Sequence, residues 1–238
     1  MVVTGSSGEI GSQLVAHFAA AGWTVLGVDV RPPRGEPQPS VVSVTCDLAN
    51  GAEATAALDG LSEKYGPPDV LVNCAGRIAN SPLLKRGTGG WEVHDFALWK
   101  DVIESGLTSA FHATAICARL MLEARKKGVV VNISSVCANG NPGQVAYSAA
   151  KAGLNGLTLA LAKELGPLGI RVVGLAPGYF ETTSTTGNVS EARLAKVIGA
   201  VPLKRLGRVA EIAHALDFII GNEYVNGTIV ELDGGLVV

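Results

Sequence analysis

Short apolar, β-branched runs and longer stretches of helical spacing alternate along the whole chain. The runs at 1–3, 23–29, 41–44, 69–73, 128–135, 169–176 and 227–235 read as strands. The stretches at 12–21, 52–65, about 97–126, 147–165 and about 209–220 place apolar residues three and four apart, as helices do. Strand and helix in alternation predict a mainly parallel sheet, and strands that are apolar throughout need helices above and below. The pattern predicts an α/β, doubly wound, seven-stranded sheet with helices on both faces, in a single domain over 1–238. Three segments break the rhythm: a Pro-rich loop at 31–39, an irregular Gly-rich loop at 77–95, and the stretch 179–200.

Between the first strand and the first helix lies Thr4-Gly-Ser-Ser-Gly-Glu-Ile-Gly11. Strand, glycine turn and helix form the context of a dinucleotide fingerprint. Glycines let the backbone approach a pyrophosphate, and the helix N-terminus offers oriented N–H groups. Gly5, Ser7, Gly8, Glu9, Ile10 and Gly11 are the candidate contacts. The plainer reading, a Gly/Ser turn without a ligand, loses weight because Asp29 ends the second strand 18 residues after Gly11. A carboxylate there accepts hydrogen bonds from ribose hydroxyls and repels a 2′-phosphate, which favours NAD over NADP. Arg31 beside it works the other way, and Asp29 read as a mere turn residue is the alternative.

Tyr147-Ser-Ala-Ala-Lys151 sets a phenol and an ammonium one helical turn apart on one face. A lysine beside a tyrosine favours the phenolate and is expected to draw its pKa down. Such pairs also occur on ordinary helix surfaces. Here, however, the strand at 128–135 ends in Ser134 and Ser135, which its carboxyl end would carry toward the same crevice.

Ser, Tyr and Lys in this order, with the glycine turn, resemble the short-chain dehydrogenase/reductase family over the entire chain. The resemblance implies a Rossmann-type fold and a direct hydride exchange between a nicotinamide cofactor, NAD, and an alcohol or ketone. It implies catalytic roles for Ser135, Tyr147 and Lys151, the last two also touching the cofactor. Asn132-Ile-Ser-Ser135 selects Ser135, whereas the family's usual loop length would select Ser134. Asp47 and Leu48 are expected to flank adenine. Asn73-Cys-Ala-Gly76, a variant of N-N-A-G, is expected to lie along the cofactor through Asn73, Ala75 and Gly76. Pro177, Gly178 and Thr182, with Thr183 adjacent, correspond to the nicotinamide end, and 179–200 to a substrate lid. Two positions depart from the family. Glu9 stands where short members carry glycine, giving the glycine spacing of the family's extended branch. Gly106 stands where an asparagine holds a proton-relay water; a glycine there permits a kink that exposes a carbonyl to such a water.

Charge and composition narrow the partners. A net charge of −2 with no Lys/Arg-rich run argues against nucleic acid or an acidic membrane. Mean hydropathy of +0.32 without an uninterrupted apolar span reflects a large core rather than a membrane helix, and no leader pattern opens the chain, so a cytoplasmic protein is expected. Cys46, Cys74, Cys117 and Cys137 are widely spaced and expected to be reduced packing residues. His17, His94, His112 and His214 show no metal-ligand spacing, and His94 alone falls near the expected site. The sequence thus predicts an NAD(H)-dependent oxidoreductase for a small alcohol or ketone, assembled as a homotetramer or homodimer through the helices at 97–126 and 147–165. The rivals are an NAD-binding sensor or scaffold, suggested by Gly106 and Glu9, and a redox-neutral epimerase or dehydratase, suggested by the glycine spacing.

Overall fold

In the computed structural model, which describes residues 1–34, 38–187 and 190–236, seven strands form one parallel sheet. They are β1 (Val2–Thr4), β2 (Val25–Asp29), β3 (Val41–Thr45), β4 (Val70–Asn73), β7 (Gly128–Ile133), β8 (Ile170–Pro177) and β9 (Ile229–Leu232). Their order is β3-β2-β1-β4-β7-β8-β9. Side chains of a strand alternate between faces, and the core divides accordingly. Val3, Val72, Val131 and Val173 pack with Leu14 and Phe18 of α1 (Glu9–Ala20) and with Ile212 and Leu216 of α8 (Val209–Gly221). Val2, Leu71, Val130 and Val172 face α2 (Gly51–Tyr65) and α4 (Ser109–Glu123), and Ala162 of α5 (Val145–Leu165) joins them. Burying each such side chain contributes about 1.5–3 kcal/mol, so the sheet is fixed from both sides. No helix among the described residues is long and apolar enough to cross a membrane.

The strand order reverses between β1 and β4, which opens a crevice at their carboxyl ends. There the glycine turn meets the segment after β4: the N–H groups of Cys74 and Ala75 donate to Thr4 Oγ1 at 3.1 and 3.2 Å.

The structure departs from the sequence reading at three places. The expected loop at 77–95 contains an antiparallel hairpin, β5 (Leu84–Gly87) and β6 (Gly90–Val93), whose register pairs Leu84 with Val93 and Arg86 with Trp91. Gly90, at φ 130°, makes the turn, and the Arg86 guanidinium stacks 5.5 Å from the Trp91 ring. The expected helix at 97–126 forms without a gap over 96–123 but carries a π-turn within it. α3 (Phe96–Ile103) passes into a π-helical turn, Glu104–Thr108, before α4, and Ser109 N–H donates to Glu104 O. The segment 179–200 is largely helical, with α6 (Thr183–Thr186) and α7 (Glu191–Ala200). Asn188 and Val189 of the expected lid, and Gly35 to Pro37 of the expected Pro-rich loop, lie outside the described residues.

Candidate active site

The glycine turn is built by close approach. A Cβ on Gly5, at φ +65°, would lie 2.8 Å from the Ala75 backbone, and one on Gly11 only 2.1 Å from Gly5 O. Both positions need glycine. Gly8 is the N-cap of α1 and no side chain caps that end, so its first-turn N–H groups, at Glu9, Ile10 and Gly11, suit an anion. The buried Asp29 carboxylate accepts from Ser7 N–H at 2.9 Å and from Arg31 N–H at 2.9 Å, which ties β2 to the turn. The Arg31 guanidinium returns to the same carboxylate through Nε at 3.3 Å. This cradle fits a dinucleotide: small, backbone-lined, and closed at its far end by an acid.

Asp47 is exposed and accepts from Ala49 N–H at 2.9 Å. Leu48 is buried in the core, so only its backbone remains for a ligand, and its carbonyl already accepts from His112 Nδ1 at 2.9 Å. Asn73 also turns inward rather than along the crevice. Its Nδ2 donates to Thr114 Oγ1 at 2.9 Å and Asn132 Oδ1 at 2.8 Å, and Asn132 Nδ2 donates to Thr158 Oγ1 at 2.8 Å. This buried chain joins α4, β4, β7 and α5 just below the site; buried amides need such partners.

Ser135 and Ser134 point in opposite directions, as neighbours at a strand end do. Ser134 Oγ donates to Asn155 Oδ1 at 2.6 Å, against α5. Ser135 caps the short turn Val136–Asn139, accepting from Cys137 N–H at 3.2 Å, and its hydroxyl lies beside that of Tyr147. Lys151 is buried, with its Nζ 5.7 Å from the Tyr147 ring centroid, and donates to Ile133 O at 2.7 Å. Burial pulls the Lys151 ammonium down to about 8. The Tyr147 phenol moves the opposite way from the sequence expectation: burial pushes it up, as does nearby Cys137, against the opposing hydrogen bond from Ser135. The lysine spends its charge on the Ile133 carbonyl and the face of the ring, so desolvation governs the phenol.

Gly106 lies in the π-turn and is buried. A Cβ on Gly76 would come 3.4 Å from Gly106 Cα and 3.6 Å from Lys151 Nζ, which brings these three groups together. Ser109 Oγ donates to the Ser105 carbonyl at 2.6 Å, and Arg77 N–H donates to Ser105 Oγ at 3.3 Å. On the opposite side, Pro177 ends β8, and Gly178 N–H donates to Leu232 O at 2.9 Å. Thr182 is buried beside Thr185, with 3.2 Å between hydroxyl oxygens. Glu9 reaches this segment, both carboxylate oxygens lying 2.8–2.9 Å from Thr183 N–H.

One group of residues escaped the sequence reading. Gln144, the N-cap of α5, donates through Nε2 to Asn80 Oδ1 at 2.6 Å and accepts from Asn141 Nδ2 at 2.8 Å and Cys137 Sγ at 3.2 Å. The amides at 139–144 carried a turn signal only, and their partner at Asn80 is distant in sequence. His94 is buried and its Nδ1 lies 3.4 Å from Pro82 O, at the base of the hairpin. Among the described residues no three His, Cys, Asp or Glu side chains are grouped to hold a metal.

The short chain dehydrogenase family profile matches residues 1–193. The 3-hydroxyacyl-CoA dehydrogenase type-2 of Rattus norvegicus is 34% identical, over 99% of this chain and 94% of that protein. The 3-oxoacyl-[acyl-carrier-protein] reductase FabG of Thermotoga maritima is 33% identical, over 100% of this chain and 97% of its own. A solved short chain dehydrogenase from Leptospira borgpetersenii with bound NAD+ superposes with a TM-score of 0.89 at 26% identity, covering 100% of this chain and 92% of that one.

Proposed function

This chain belongs to the short-chain dehydrogenase family, and from that premise we propose that it is an NAD(H)-dependent oxidoreductase interconverting a secondary alcohol and a ketone. The observation that carries the reading is the cluster at the crevice: Ser135 beside Tyr147, with Lys151 buried against the tyrosine ring. Two relatives are named for 3-hydroxyacyl and 3-oxoacyl thioesters, and on that ground we assign this chain a 3-hydroxyacyl or 3-oxoacyl thioester as its substrate class. The nicotinamide cofactor supplies the hydride chemistry. Tyr147 gives its proton to the nascent alkoxide in reduction and takes the hydroxyl proton in oxidation. Ser135 polarises the substrate oxygen from the end of β7. Lys151 holds the nicotinamide ribose and feeds protons to Tyr147. Gly5, Ser7, Gly8, Ile10 and Gly11 cradle the pyrophosphate, Asp29 receives the adenosine ribose, and Pro177, Gly178 and Thr182 border the nicotinamide, beneath a lid at 179–200.

An apolar groove between α4 and α5, lined by Phe111, Ala118, Leu122 and Leu161, supports assembly of a homodimer or homotetramer through these helices. The four cysteines are free, which suits a reducing, cytoplasmic setting.

The test is nicotinamide absorbance with NAD(H) and NADP(H), using acetoacetyl-CoA, 3-hydroxybutyryl-CoA and simple secondary alcohols. Turnover of the thioesters with NAD(H), and much less with NADP(H), is the expected result. NADH binding with no turnover on any of them would favour a cofactor sensor instead, the reading that Gly106 in the asparagine position supports.

A pH effect follows from Lys151. A hydrogen bond to ribose favours the ammonium, whose pKa in the cofactor-free protein lies at about 8. Cofactor binding therefore raises that pKa and takes up a proton near pH 8, and affinity falls as the pH rises through that value. Calorimetry of NADH binding in buffers of different ionisation heat is expected to register the uptake, and K151M to abolish it. An uptake unchanged in K151M would assign the proton to another group.

A further inference from the structure

We infer that Glu9 is the anchor of the lid, a positioning residue that holds the first turn after Thr182 against the glycine turn before any dinucleotide arrives. The inference rests on the dinucleotide reading of the crevice given above.

Glu9 is the first residue of α1, in the turn after β1, and Thr183 begins α6, after β8. The 174 positions that separate them are bridged by one charge-assisted contact, in which a single N–H lies 2.9 and 2.8 Å from the two carboxylate oxygens. α6 is only four residues long, and one turn does not hold itself, because nucleation fixes several dihedrals for one hydrogen bond. Around it, Thr186 Oγ1 donates to Thr182 O at 3.0 Å within the lid, and Glu181 N–H pairs with Gly207 O at 2.8 Å, in the segment that leads into α8. Glu9 thus ties the lid to the phosphate-binding turn. The same contact accounts for a carboxylate in that turn, since its oxygens are directed to an amide donor of the lid. With the lid held in advance, less ordering entropy remains for the cofactor to offset.

Hydrogen exchange on the cofactor-free chain tests this with E9A and E9Q. In E9A the amides of 183–187 are expected to exchange roughly tenfold faster, while α1 and the sheet keep their protection. E9Q retains an acceptor and is expected to stay within about threefold of the parent chain. NADH should then protect 183–187 far more in E9A than in the parent. Lid exchange in E9A equal to the parent's would overturn the inference, and so would loosening of α1 to the same degree, which would make Glu9 a helix-end residue. Because the first comparison needs no cofactor, a failure of NADH to bind would count against the dehydrogenase reading alone.

Discussion

Substitution of Tyr147 by phenylalanine is expected to lower kcat by about 10²–10⁴-fold while leaving the NADH dissociation constant within about twofold. The replacement removes one oxygen and keeps the ring. That ring still packs beside Ala146 and Ala150, and Lys151 keeps its bond to Ile133 O. Ser135 loses the tyrosine hydroxyl but still accepts from Cys137 N–H, so the strand end holds its shape. What disappears is the proton donor. Burial raises the pKa of this phenol, so at neutral pH it carries its proton, the form that reduction needs. Steady-state reduction rates and a fluorescence titration with NADH separate the two effects, and turnover surviving in Y147F would sink the acid-base assignment.

The paired variants S135A and S134A should separate chemistry from stability. S135A removes the hydroxyl beside Tyr147 and is expected to cost about 10²–10³-fold in kcat, the scale of losing one donor to a developing oxyanion. Its fold should be nearly untouched, since Ser135 caps only a short turn. S134A instead leaves the Asn155 amide without its 2.6 Å partner inside the packing of β7 on α5. It should lower stability by about 1–3 kcal/mol and leave kcat near the parent value. Thermal melts read beside turnover decide between the serines, and the reverse pattern would move the catalytic role to Ser134.

Much of the fold was legible because its signals are local. The period-two alternation of Val2 and Val3, repeated at Leu71 and Val72, at Val130 and Val131 and at Val172 and Val173, defines a sheet buried on both faces. Tyr147 and Lys151 share a helical turn, so their association needed nothing from the rest of the chain. The remainder depended on partners far away in sequence. Nothing near Asn73 shows that its amide enters a chain of Thr114, Asn132 and Thr158, and the aliphatic Leu48 meets the core only once α2 is in place. The direction of the Tyr147 shift was missed for the same reason: it depends on burial, which a tyrosine–lysine spacing does not encode. The hairpin at 84–93 was hidden by Gly87, Gly89 and Gly90, which mark a turn without saying that Leu84 and Val93 face one another across it.

The π-turn also sets the phase of a helix. In an uninterrupted α-helix, Val102 and Ala113, eleven residues apart, would lie on nearly one side, because three turns take about 10.8 residues. The extra residue stored in Glu104–Thr108 rotates the two halves by about 100°. Val102 can therefore dock on Ala146 and Ala150 at the start of α5, while Ala113, Cys117 and Met121 dock under the sheet. A single rod thereby serves two surfaces that face in different directions. Removing any one residue from that turn would leave α4 seated and swing α3 off the helix that carries Tyr147.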